Sequence, residues 1–141
     1  MTTEEIITSL ERAWNAGDGE AWAANFAEDV DFVDVVGRIQ HGRATIARES
    51  QKIFDTIYRG SRLELRQVSS RPLGGGFDLV HSETVMSIPA GPLAGEQRAV
   101  QTMLVHDGRV AAFHNTIKGD IASFTGHDPD LAARSPQEWD S

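Results

Sequence analysis

At 141 residues, 40% of them hydrophobic, the chain is long enough for one domain that buries its own core without metal or disulfide help. It contains no cysteine, which excludes disulfides, thiolate nucleophiles and thiolate metal sites. A formal net charge of −8, with the arginines scattered, argues against a phosphate backbone as partner and for a neutral or cationic small molecule, or a protein.

The N-terminal stretch lacks the basic start and apolar run of a signal peptide, and no stretch approaches the roughly 20 apolar residues of a membrane span. The expectation is a soluble, cytoplasmic protein. Thr2 and Glu5 have the spacing of a capping box, and Ile6, Leu10, Ala13 and Trp14 recur at helical period. These predict a first helix over about residues 3–16, closed by Gly17. Asp18 caps a second, short helix in which Trp22 and Phe26 lie four apart on one side, so the two helices form a hairpin.

From Val30 the period becomes two-fold. Val30, Phe32, Asp34 and Val36 share one face of a predicted strand, with Asp31, Val33 and Val35 on the other. An acid among residues that should be buried has two explanations. Either the strand edge exposes it to water, or an apolar pocket raises its pKa and makes it a proton-transfer group near neutral pH. Gly37 then turns the chain, and Arg38 to His41 returns as a short strand. A third helix over about residues 43–58 carries an inner stripe of Ile46, Ser50, Ile53, Phe54 and Ile57.

Beyond Gly60 the pattern predicts strands near residues 62–68, 76–87, 96–105 and 109–118, with turns at 72–76, 89–95 and 106–108. The tail from Ser123 is polar, and Asp128-Pro129 can begin one more helical turn. Helices followed by a meander make an α+β layout, with a curved, mostly antiparallel sheet wrapped on the third helix. The whole is read as a single domain over residues 1–141, its core at about 4–118.

In the strand over 76–87, the odd positions Phe77, Leu79, His81, Glu83 and Val85 mix large apolar groups with two titratable ones. His81 either points inward, where it would form a proton-transfer pair with Asp34, or is satisfied by a carbonyl within the sheet. The turn at Asp107-Gly108 decides whether His114 or Asn115 shares a face with Gln101. A two-residue loop sets Gln101 opposite His114; a three-residue loop, with Gly108 as the bulge, sets it opposite Phe113 and on the face of Asn115. Trp14, Trp22, Phe32, Phe54 and Met103 either line an apolar chamber or form plain core. His41, His106 and His127 read as turn residues. No histidine pair has metal-ligand spacing and no Rossmann glycine pattern occurs, so neither metal nor cofactor is expected.

NAGD at 15–18, FAEDVDFVDVVG at 26–37 and GRATI at 42–46 resemble the nuclear-transport-factor-2-like (NTF2-like), SnoaL-like superfamily. With RGSRL at 59–63 and AAFHNT at 111–116, the chain is most similar to its SgcJ/EcaC-type group, found with enediyne and other polyketide gene clusters. The resemblance implies a cystatin-like cone of three N-terminal helices on a curved sheet, hollow at its open end. This fold hosts isomerases, cyclases, dehydratases, epoxide hydrolases and binding domains alike. Asp34 matches the catalytic carboxylate of the ketosteroid-isomerase branch, where an Asp base works with an oxyanion hole made of a tyrosine and a protonated aspartate. Here those two positions are Leu10 and Gln101, and Ser50 stands where related sequences often carry His or Tyr.

The resemblance favours the register with Gln101, Met103, Phe113, Asn115 and Ile117 inside. Together these readings name Asp34, His81, Gln101 and Asn115 as candidate catalytic groups. Leu10, Trp14, Phe32, Ser50, Phe54, Met103 and Phe113 are candidate walls of a pocket for a hydrophobic polyketide intermediate, handled by cofactor-independent acid–base chemistry. The alternative, which explains the missing oxyanion groups, is a non-catalytic binding or accessory subunit of a biosynthetic pathway. In either case the apolar outer face of the sheet implies a homodimer.

Overall fold

The computed structural model describes residues 1–120; the polar tail, His127 and the Asp128-Pro129 turn lie outside the described residues. The first helix, α1 (Thr3–Asn15), begins as its sequence dictates. Thr2 Oγ1 accepts from Glu5 N at 3.1 Å, and Glu5 Oε1 accepts from Thr2 N at 3.2 Å. Gly17, at φ 63°, reverses the chain, and Asp18 caps α2 (Gly19–Ala23) by accepting from Ala21 N. Phe26 is not part of this helix. Asn25 Nδ2 donates back to the Ala21 and Trp22 carbonyls, closing the helix, and Phe26 opens strand β1 (Phe26–Val33).

Strand β1 ends one residue before Asp34, so the expected strand position is corrected. Val30 and Phe32 are buried as predicted, but Val36 is 74% exposed. The cause is local: Val36 N and Arg38 N both donate to Asp34 Oδ1, which folds the chain into a turn leading to β2 (Ile39–His41). Helix α3 (Arg43–Phe54) is shorter than its periodicity suggests. Ile46, Ser50 and Phe54 are buried on its inner side, while Ile57 lies beyond its end and is 36% exposed.

The remaining strands are β3 (Arg62–Gly74), β4 (Phe77–Ile88), β5 (Gly95–His106) and β6 (Arg109–Ile117). Strand β3 runs straight through Pro72, which the edge position allows because no N–H is needed on that side. The sheet order is β2-β1-β6-β5-β4-β3, antiparallel throughout except where β1 runs parallel to β6. The fold is therefore α+β, three helices, the third following β2, packed on a six-stranded, mostly antiparallel sheet.

The β5–β6 register follows neither of the two loops considered from sequence. Asp107 and Gly108, both at positive φ, make a two-residue turn that pairs His106 with Arg109 and Val105 with Val110. A bulge then skips Ala111, so Leu104 pairs with Ala112 and Gln101 stands directly opposite Asn115. Asn115 thus shares the face of Gln101, and His114 takes the other. The helices cover that face: Ile6 and Leu10 of α1, Trp22 of α2 and Ile46 of α3 pack on Val30, Val80, Met103, Val105 and Val110. Each such large side chain, fully buried, contributes about 1.5–3 kcal/mol.

Candidate functional site

The core does not fill the whole space between helices and sheet. A cavity of about 350 Å³ remains toward the ends of α3 and β1, lined by side chains from both layers. Trp14 forms part of the wall. It meets Trp22, Phe54 and Tyr58 edge-on, with ring centroids 5.4, 4.8 and 5.4 Å away, and its Nε1 donates to Ser61 Oγ at 2.9 Å. With its polar end satisfied, the indole offers the cavity an apolar surface. Opposite, the β1–β6 ladder pairs Phe32 with Phe113, whose rings stack at 4.8 Å with planes 5° apart.

At the floor, Gln101 is 2% exposed and fully engaged. Its Oε1 accepts from Ser82 Oγ at 2.7 Å, and its Nε2 donates to Thr84 Oγ1 at 3.1 Å and Asn115 Oδ1 at 3.0 Å. At the mouth stands Asp34, with four donors around it. Val36 N (3.1 Å) and Arg38 N (2.9 Å) reach Oδ1; Arg38 Nε (2.6 Å) and Gln40 Nε2 (3.4 Å) reach Oδ2.

Burial is the largest single influence on Asp34 and pushes its pKa up. The bonds from Arg38 and Val36, with the Arg38 charge, together outweigh it and hold the carboxyl below its usual range. A poised carboxylate with a raised pKa is thus not what this conformation holds. Arg38 is pushed up by the same pair. Tyr58, also at the cavity, is raised by burial first and by the Asp34 charge second.

A family model described as a SnoaL-like domain matches residues 7–113. The chain belongs to the SnoaL-like family. No curated protein matches the sequence. Among solved structures, the chain is similar to a domain of unknown function with a cystatin-like fold from Nostoc punctiforme, at 25% identity and TM-score 0.75 over 98% of this chain and 91% of that one. It is also similar in fold to a ketosteroid isomerase-like protein from Erwinia carotovora (14% identity, TM-score 0.69, 82% of this chain and 93% of that one). A third is a ketosteroid isomerase-like fold from Catenulispora acidiphila solved with trimethylamine (17% identity, TM-score 0.61, 96% of this chain and 100% of that one).

In this SnoaL-like chain the cavity gathers Trp14, Phe32, Asp34, Ser50, Gln101, Phe113 and Asn115 from the residues named by sequence. Leu10, Phe54 and Met103 are not among its lining. Leu10 and Met103 are core residues 0% and 1% exposed, and Phe54 backs the Trp14 ring from behind. His81 is misplaced by one step of strand phase. The buried side of β4 carries Val80, Ser82, Thr84, Met86 and Ile88, which puts His81 on the opposite face, between Ser69 and Thr102. It has no route to Asp34.

Sequence reading missed Thr84 and Ser82 at the floor and Arg38, Gln40 and Tyr58 at the mouth. The signal for Ser82 and Thr84 was weak, because both alternating sets of β4 mix apolar and polar groups; only Ile88, closing the even set, separates them. His41 closes β2 on Asp31, with Nδ1 2.9 Å from Oδ1, and is not among the residues that line the cavity. Among the described residues, no group of three or more His, Asp or Glu is placed to hold a metal ion, and no helix is long and apolar enough to cross a membrane.

Proposed function

We propose that the cavity binds a hydrophobic polyketide intermediate and that Asp34 moves a proton on it without a cofactor. The observation that carries this reading is one chamber whose walls are aromatic and aliphatic, with a carboxylate at the mouth and amides at the floor. An entering ligand displaces the Arg38 and Gln40 side chains from Oδ2 and leaves Oδ1 on its two backbone donors. Freed of its charged partner, the carboxylate becomes more basic, because burial is the strongest influence left on it. It then takes a proton from the carbon beside a carbonyl and returns it elsewhere on the ligand, an isomerisation with no net redox change. Support comes from the ketosteroid isomerase-like fold relatives. The polyketide class rests on the resemblance of residues 59–63 and 111–116 to the SgcJ/EcaC-type group.

The test is to incubate the protein with polycyclic ketones in deuterated water and follow deuterium entry beside the carbonyl by NMR. Exchange by the wild type, lost in Asp34→Asn while tryptophan quenching still reports binding, is the expected result. Exchange that survives in Asp34→Asn removes Asp34 from this role. Binding without exchange in the wild type supports the second reading, a non-catalytic binding or accessory subunit. The four donors that hold Asp34 ionised favour that reading.

The partner proposed for the outer face of the sheet is a second copy of the chain, since Leu79, Val85, Val100 and Leu104 are only half-buried there. Light scattering is expected to give a dimer for the wild type and a monomer for Leu104→Glu; a monomeric wild type refutes it.

A further inference from the structure

The polar groups beneath the cavity belong to one row that crosses the sheet. Gln67 on β3, Ser82 on β4, Gln101 on β5 and Asn115 on β6 stand opposite one another in successive ladders. Along this row each bond has a direction. Ser82 donates to Gln101 Oε1, and both Nε2 hydrogens of Gln101 are committed, to Thr84 Oγ1 and Asn115 Oδ1.

The Thr84 hydroxyl fixes that direction. The Thr84 hydroxyl has the Ala99 carbonyl as its acceptor, at 3.4 Å, so toward Gln101 it must accept, and Gln101 must present its NH2 group there. If Gln101 were turned over, its NH2 would instead donate to Ser82, and the Ser82 proton would need another acceptor in a residue 0% exposed. Gln67 Oε1, across the ladder, is buried with no hydrogen-bond partner in the observed arrangement. Asn115 therefore gives its oxygen to Gln101. Its Nδ2 hydrogens have no acceptor among the described residues. They lie at the cavity, which Asp34 also lines, two residues along β6 from the Phe113 ring of the Phe32–Phe113 stack.

We infer that Asn115 sets the ligand specificity of the cavity: the ligand places a hydrogen-bond acceptor, a ketone or similar carbonyl oxygen, against Asn115 Nδ2. Gln101 and Thr84 are positioning residues that keep this group a donor. The inference rests on the cavity reading above and divides between Asn115 and Gln101 a polarising role that the sequence left to either. Gln101, buried and with both hydrogens committed, has nothing to offer a ligand. A ligand that brings only a donor to this point faces N–H with N–H and is rejected. Asp34 lines the same cavity, as a base that removes the proton from the adjacent carbon must.

The probes are methyl naphthyl ketone and the matching isopropenyl naphthalene, in which a CH2 group replaces the carbonyl oxygen. Binding is followed by quenching of Trp14 and Trp22, and the ketone carbonyl stretch by infrared difference spectroscopy. The wild type is expected to bind the ketone about tenfold tighter than the alkene, the worth of one hydrogen bond, with the stretch moved to lower frequency. Asn115→Leu should abolish both the preference and the shift. Thr84→Val, which lets Gln101 turn over, should reduce both, while each variant still binds the alkene and so proves itself folded. Equal affinities and an unmoved carbonyl band in the wild type overturn the assignment of Asn115 and leave the cavity reading standing. If neither probe binds, the cavity reading falls and this inference falls with it.

Discussion

Arg38 Nε donates to Asp34 Oδ2 at 2.6 Å across a turn that the same two residues close, with Asp34 N donating to the Arg38 carbonyl at 3.0 Å. One turn therefore builds both the ion pair and the lip of the cavity. Because burial opposes the pair, removing the guanidinium in Arg38→Met takes away two of the influences that lower the Asp34 pKa and should raise it. Carboxyl-carbon NMR titration checks this, with Asp34→Asn for assignment. An Asp34 value unmoved by Arg38→Met refutes the account.

The same shift has a sign in stability. The folded-state value is depressed, so the contribution of Asp34 is present above about pH 3.8 and is lost as pH falls through the folded value. Urea midpoints taken from about pH 5 to about pH 2 should fall more steeply for the wild type than for Arg38→Met. Parallel slopes would mean the pair contributes nothing.

Tyr58 is the only tyrosine in the chain, so its ionisation can be read directly from ultraviolet absorbance. It should titrate above 10.0, and Asp34→Asn should bring it only part of the way back, since burial outweighs the Asp34 charge. The raised value means that its contribution to stability is intact below about pH 10 and is lost as pH rises through the folded value. A full return to 10.0 in Asp34→Asn would reverse the order of the two causes.

The row beneath the cavity carries a stability prediction as well. Gln101→Leu strands the Ser82 hydroxyl, which is wholly buried, and should cost about 1–3 kcal/mol by urea unfolding. Adding Ser82→Ala removes the stranded group and should recover part of that loss. A double variant no better than Gln101→Leu would show that packing, and not the orphaned hydroxyl, dominates.

Gly19 marks where α2 and α3 touch. A Cβ there would come within 2.7 Å of the Ala47 carbonyl oxygen, and the Gly19 N–H already donates to Gln51 Oε1 at 2.8 Å. Gly19→Ala should therefore push the helices apart and cost about 1–3 kcal/mol, measured by urea unfolding. A neutral effect would mean that the helices separate freely.

The helical third of the molecule was legible because its signals are local. The Thr2–Glu5 box, the Asp18 cap and the stripe of Ile46 and Ser50 each lie within a few residues of sequence, and all are present. The site was harder because its positions depend on strand phase. Val35 and Val36 read as strand, and only the hydrogen bonds that Asp34 collects from its own turn overrule them. The phase of β4, and with it the choice between His81 and its neighbour Ser82, is set by pairing with β5, which no local pattern reports. Asn115 was placed on the correct face, but through a bulge at Ala111 that apolar alternation does not announce.

The parallel seam between β1 and β6 also sets the order in which the molecule can mature. Phe32 and Phe113 lie on the first and last strands in sequence, and joining them closes the longest loop in the sheet. The β3–β6 meander and the α1–α2 hairpin are made of near neighbours and can assemble first. The Phe32–Phe113 stack at the cavity comes into being only when that seam zips. A chain still emerging from the ribosome with β6 unsynthesised can form both α1 and α2 and still lack the Phe113 and Asn115 side of the cavity.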